Sequence, residues 1–79
     1  MKITVHPIQK TKGICGGSAR IRDTRIPVWS LVSLRLQGAD EEYLLRNYPS
    51  LTVHDLAVAW QYYTEHQMEI DQLITDHSD

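Results

Sequence analysis

The chain has 79 residues, 42% of them hydrophobic and 23% charged, and a formal net charge of −2 at pH 7. This length fits one small domain whose core is near the lower limit for stability, so self-association is expected. No run approaches the roughly 20 apolar residues of a membrane helix, and the N-terminus lacks a signal-peptide core. The single cysteine, Cys15, excludes an internal disulfide framework. These features predict a cytoplasmic protein with no membrane partner.

The N-terminal third is expected to be extended rather than helical. Residues 2–5 form a short β-prone run that is stopped by Pro7. Residues 8–15 show no clear period and are predicted to form a loop.

Residues 16–26 combine arginines with small, apolar and hydroxyl side chains, which suits a β ribbon with a cationic edge. Gly16 and Gly17 supply the turn that opens this ribbon. The candidate nucleic-acid-binding residues are Arg20, Arg22, Thr24 and Arg25. The same pattern also fits a surface hairpin whose arginines are only solvated, or a ribbon that pairs across a dimer axis.

Two short helices are predicted after the ribbon. The first begins at or just after Ile26, with Pro27 near its first position and Gly38 as its left-handed C-terminal cap. Asp40 caps the second helix, which Pro49 ends.

A longer third helix follows, with Thr52 as its N-cap and Asp55 completing a capping box. Its stripe continues for about five turns through Leu56, Trp60, Tyr63, Gln67, Ile70 and Ile74, and Gln67 interrupts its hydrophobic character. Such a stripe is more often core or dimer packing than a dedicated groove for a partner. Three short helices can hardly cover its distal end, which must therefore pack on another chain, pack on the ribbon or fray. The candidate partner-binding residues are Tyr62, Tyr63, His66, Ile70, Leu73 and Ile74.

These elements predict an α+β, mainly helical fold, in which a short N-terminal β ribbon precedes a three-helix, helix-turn-helix unit with a long third helix. We expect a single domain, with an arm at residues 1–26, a trihelical unit at 27–65, and an acidic helix end and tail at 66–79. The start of the third helix carries no Lys or Arg that could reach guanine or phosphate. The pattern therefore predicts a trihelical domain more strongly than base reading by that helix.

The basic and acidic residues are divided between the two halves of the chain. All eight Lys and Arg lie within the first 46 residues, whereas residues 47–79 hold six of the ten acidic residues and neither Lys nor Arg. This division suggests two different partners or a self-complementary assembly, with chance variation in a short chain as the simpler alternative. The basic half suits a polyanion, which would repel the acidic half.

Side chains that could support catalysis or metal binding are scattered. The four histidines lie far apart, no Cys/His pair has metal-ligand spacing, and there is no glycine-rich phosphate loop. No serine has a base at a persuasive spacing. The sequence predicts no enzyme, no cofactor and no metal site.

Three segments together resemble the DUF433 family. They are Gly-Gly-Ser-Ala-Arg-Ile-Arg-Asp-Thr-Arg-Ile-Pro-Val at residues 16–28, Gly-Ala-Asp-Glu-Glu at 38–42, and Tyr-Pro-Ser-Leu-Thr at 48–52. The usual family pattern begins Gly-Gly-x-Pro-x-Ile-Arg-Gly-Thr-Arg-Ile-Pro-Val. Ala19 stands where that pattern has Pro, and Asp23 where it has Gly.

The resemblance implies a homeodomain-like, winged-helix-related fold. Many members of the family look like antitoxins encoded beside PIN-like ribonuclease toxins. By this analogy the chain is expected to neutralise a toxin and, as a dimer, to repress its own operon. The arginine ribbon would then contact DNA and the acidic third helix a basic toxin surface. The alternative is a small dimeric structural or interaction module without nucleic-acid binding.

Overall fold

The N-terminal segment forms a two-stranded antiparallel ribbon. In the computed structural model, which describes residues 7–77, β1 (Ile8–Gln9) pairs with β2 (Arg20–Ile21). A 3₁₀ turn at Cys15–Gly17 lies between them, and its two glycines have the positive φ values expected of a Gly-Gly turn. The strand predicted at residues 2–5 lies outside the described residues. β1 was missed because two residues are too few to show a period.

The described residues contain four α-helices, which are α1 (Val28–Leu36), α2 (Glu41–Asn47), α3 (Val53–Glu65) and α4 (Gln67–Asp76). The predicted α+β, mainly helical class is confirmed. The prediction of three helices with a long third one is wrong, because the third is divided in two. None of the helices within residues 7–77 is long and apolar enough to span a membrane.

The helix ends follow local sequence signals. Gly38 ends α1 with φ +107°, and its backbone N–H donates to the Arg35 carbonyl. The Asp40 carboxylate accepts from the Tyr43 backbone N–H at 2.8 Å and caps α2. The capping box at the start of α3 is complete, as predicted.

The break between α3 and α4 lies at His66, whose φ of −133° and ψ of 43° are not helical. No Pro or Gly is present there, so local signals do not reveal the break. It allows α4 to pack against α1, and Ile70 becomes fully buried. At the far end of α4, the His77 ring stacks on Trp29 of α1 with the ring centroids 4.2 Å apart. Residues 67–76 therefore form a helix that packs on α1 and α3.

The core draws on every helix and on the ribbon. Its buried members are Ala19, Ile21, Val28, Leu31, Val32, Leu44, Leu51, Leu56, Ala59 and Ile70. Ala19 and Ile21 fix the ribbon to the helices, and Ile70 fixes α4 to α1 and α3. The ribbon and α4 are thus both fixed to the core, and Lys10 after β1 pairs with Glu69 of α4.

Candidate functional site

Arg22 links the ribbon to the start of α3. Its Nε and Nη2 donate to the two carboxylate oxygens of Asp55, each at 2.9 Å, and Nη2 also donates to the Ser50 carbonyl. The same carboxylate accepts from the Thr52 backbone N–H. The Arg22 hydrogen bonds, supported by Thr52, lower the pKa of Asp55 to about 2, although burial acts in the opposite direction. Arg22 is therefore a structural bridge whose charge is neutralised within the chain.

Arg20 is buried at the centre of the ribbon, with 4% of its surface exposed. Its Nη1 donates to the carbonyls of Arg22 and Thr24, and its Nη2 to the side-chain oxygens of Gln9 and Thr11. All four acceptors are neutral. Within residues 7–77 no carboxylate lies within salt-bridge distance of the Arg20 guanidinium, and Arg20 Nε has no hydrogen-bond partner. This guanidinium clamps two loops together and remains a buried, unpaired positive charge.

Thr24 and Arg25 form the turn that follows β2. The Thr24 hydroxyl donates to the Ile21 carbonyl at 2.6 Å and accepts from the Ile26 backbone N–H at 3.1 Å, so it organises the turn. Arg25 is exposed and makes no ion pair with any residue of the described part of the chain. Of the four predicted nucleic-acid-binding side chains, Arg25 alone directs an uncommitted charge to solvent. Their role in binding stays a prediction.

The surface of α3 and α4 carries carboxylates that lack a cationic partner. Asp71 accepts from the Tyr63 hydroxyl at 2.7 Å, and glutamine amides donate to Glu65 and Asp76. None of the three forms an ion pair within residues 7–77. The Asp71 carboxylate raises the pKa of Tyr63, because ionising that hydroxyl would remove the hydrogen bond and place two negative charges together. These donors orient the carboxylates and leave their charges uncompensated.

Glu69 differs, because a cation from the ribbon neutralises it. Lys10 Nζ lies 3.2 Å from one carboxylate oxygen, and the Tyr62 hydroxyl donates to the other at 2.8 Å. The hydrogen bond that Lys10 Nζ donates to Glu69 raises the pKa of Lys10. The His66 ring stacks on Tyr62 at a centroid distance of 4.0 Å. The cluster joins the end of β1 to the α3–α4 junction.

The six predicted partner-binding residues do not form one exposed surface. Ile70 is fully buried, and Leu73 and Ile74 are half-buried against the core. The two tyrosines, Tyr62 and Tyr63, are also half-buried. His66 alone is exposed.

Met68, which is not among the predicted partner-binding residues, is 88% exposed. It shares one side of α4 with Asp71 and Gln72. Met68 lies two residues before the buried Ile70 and therefore on the opposite side of the helix. This spacing is the sequence feature that could have predicted its exposure.

Comparisons with known proteins agree with the motifs of the ribbon and the first helices. The family described as "Protein of unknown function (DUF433)" matches residues 8–63. This chain belongs to the DUF433 family. The crystal structure of a DUF433 member from Anabaena variabilis ATCC 29413 is similar, with 58% sequence identity and a TM-score of 0.85. The similarity covers 87% of this chain and 68% of that one. No curated protein matches.

The two departures from the DUF433 pattern have different structural settings. Ala19 is fully buried, and its carbonyl accepts from the Val28 backbone N–H, so it closes the ribbon onto α1. The Asp23 side chain is 84% exposed and lies 3.8 Å from Arg22 Nη1. The family match ends at residue 63, so α4 lies beyond it.

Proposed function

We propose that this DUF433 protein is the antitoxin of a type II toxin–antitoxin pair and that it binds a PIN-like ribonuclease toxin. The observation that carries the proposal is the exposed Met68, which shares one side of α4 with the uncompensated carboxylate of Asp71. Glu65 and Asp76 add two further uncompensated carboxylates to α3 and α4. A ribonuclease needs cations to hold RNA, so an acidic surface is complementary to it. The flexible methionine side chain suits an irregular apolar pocket among those cations.

The binding surface is the outer side of α4, formed by Met68, Asp71, Gln72 and Thr75. Ile70 anchors the opposite side of this helix in the core. The helix is therefore ordered before the partner arrives, which reduces the entropy lost on binding. Family resemblance provides the class of partner, and the surface provides the chemistry of the contact.

Autoregulation through DNA belongs to the same proposal, together with a homeodomain-like arrangement of α1 to α3 and a dimeric state. Exposed residues at the start of α3 include Val53 and His54, with no Lys or Arg among them. DNA affinity would accordingly come from phosphate contacts by the ribbon, where Arg25 is exposed, rather than from base reading by α3.

A second candidate function is a dimeric interaction module without nucleic-acid binding. It is favoured by exposed apolar side chains at the turn between α1 and α2, where Leu36 is 65% and Tyr43 46% exposed. An open groove of about 410 Å³ lies beside them, with Leu34 and Ala39 in its lining. Apolar surface of this kind is typical of a contact between protein chains.

Co-expression with the product of the adjacent gene tests the toxin-binding proposal. We expect the tagged protein to retain a stoichiometric ribonuclease. The double variant Met68→Ala/Asp71→Asn should weaken that complex by at least about tenfold, because an apolar anchor and a charge are lost from the centre of the contact. Asparagine at residue 71 can still accept from the Tyr63 hydroxyl, so the fold should be preserved.

The matched control is Leu36→Ala/Glu42→Gln, which removes an exposed apolar group and one carboxylate from α1 and α2. The control should bind as the wild type does. Equal weakening by both double variants would contradict the assignment of the surface. Recovery of a homodimer with no neighbour bound would favour the second candidate function.

A further inference from the structure

A single guanidinium links the loop after β1 to the turn after β2, and each of these two segments carries an exposed cation. Arg20 Nη1 donates to the Thr24 carbonyl and Nη2 to the Thr11 hydroxyl, each at 2.9 Å. Because both nitrogens belong to one planar group, Thr11 and Thr24 are held a few ångströms apart. Their chain neighbours Lys12 and Arg25 are exposed. Each of the two segments that Arg20 joins therefore carries one exposed cation next to the threonine that Arg20 contacts.

The charge on these two segments is unbalanced. No Asp or Glu occurs before residue 23, and neither Lys12 nor Arg25 has an ion-pair partner within residues 7–77. Beneath them the buried Arg20 contacts neutral oxygens, and its Nε is unpartnered. Burying a charge without a counter-charge is costly, so this arrangement favours the approach of an anion.

We propose that Lys12 and Arg25 each bind a phosphodiester group of the DNA backbone, one from each of the two segments that Arg20 joins. The buried Arg20 fixes the loop after β1 to the turn after β2 and adds its own positive potential to that of Lys12 and Arg25. Arg22 Nε and Nη2 donate to Asp55, which balances the Arg22 charge, so Arg22 is not part of the proposed site. This site deepens the DNA part of the proposed function and rests on it, independently of toxin binding. Its contacts are sequence-independent and position the protein on the duplex.

The single carboxylate in the turn, Asp23, opposes the anion. Its side chain is 84% exposed, and its distance of 3.8 Å from Arg22 Nη1 is too long for a hydrogen bond, so its charge can still repel a phosphate. Substitutions at the neighbouring residues Arg25 and Asp23 should therefore change DNA affinity in opposite directions. Loss of Arg25 weakens DNA binding, whereas loss of the charge on Asp23 strengthens it.

Fluorescence anisotropy with a labelled random-sequence duplex of about 20 base pairs tests the site. At about 50 mM salt we expect Lys12→Ala/Arg25→Ala to bind at least about tenfold more weakly than the wild type. Its plot of log affinity against log salt should be shallower by about 2, since two phosphate contacts are lost. Asp23→Asn should bind about threefold more tightly.

Matched controls separate a local site from net charge. Arg35→Ala/Arg46→Ala removes two exposed arginines of α1 and α2, and Glu42→Gln neutralises an exposed carboxylate of α2. Both controls should stay within about twofold of the wild type. Equal effects of control and site variants, or unchanged binding by Lys12→Ala/Arg25→Ala, would overturn this site but leave DNA binding standing. Failure of the wild type to bind the duplex would overturn the site and the DNA part together.

Discussion

Replacing Ile70 with alanine is expected to lower the free energy of unfolding by about 3 kcal/mol. The side chain is fully buried and provides the buried apolar anchor of α4. Its truncation removes apolar contacts and leaves a cavity between α4 and the rest of the core. Small domains have total stabilities near the lower end of about 5–15 kcal/mol, so this single change threatens the whole fold.

Urea denaturation followed by circular dichroism measures this effect, with Met68→Ala as the control from the exposed side of α4. The control should change stability by less than about 0.5 kcal/mol. If the two variants were equally stable, α4 would not be packed on the core in solution.

Arg22→Ala is expected to cost about 3 kcal/mol, the second large effect. Removing this side chain leaves the buried Asp55 carboxylate without its cation and disconnects the ribbon from α3. In a double-mutant cycle with Asp55→Ala, the double variant should lose less stability than the sum of the two single losses, by at least about 1.5 kcal/mol. The control Arg46→Ala breaks an exposed pair with Glu42 and should cost less than about 1 kcal/mol.

The Arg22 effect should also depend on pH. The folded pKa of Asp55, about 2, lies below its unfolded value, so the unfolded state binds this proton first as the pH falls. The stabilising contribution of Asp55, about 2 kcal/mol, is therefore present above pH 5 and is lost as the pH falls towards 2. The difference in stability between wild type and Arg22→Ala should shrink over this range. An equal difference at pH 7 and pH 2.5 would contradict the Arg22–Asp55 coupling.

Local signals in the sequence predicted much of the helical fold. Gly38, Asp40 and the Thr52–Asp55 capping box act through backbone groups a few residues away, so their spacing alone identifies helix ends. The division between α3 and α4 could not be found in this way. The spacing of the hydrophobic residues is the same whether the segment forms one continuous helix or two consecutive helices. Which of the two forms depends on how the second half packs against α1.

The candidate surfaces were harder to predict, because side-chain partners come from distant parts of the chain. Arg22 and Asp55 are separated by 33 positions, and Lys10 and Glu69 by 59. No local pattern indicates that such charges neutralise each other. Once these pairs are known, the charged residues without an ion-pair partner in the described part of the chain mark the candidate surfaces. Arg25 at the ribbon and Asp71 on α4 are two of them.

The most direct test of the antitoxin proposal is a titration of the purified protein into the ribonuclease encoded by the adjacent gene, with cleavage of a labelled RNA as the readout. We expect activity to fall linearly and to reach its minimum at a fixed stoichiometric ratio. The Met68→Ala/Asp71→Asn variant should require a clear excess, and Leu36→Ala/Glu42→Gln should behave as the wild type. Undiminished RNA cleavage at a large excess of the wild-type protein would contradict the account.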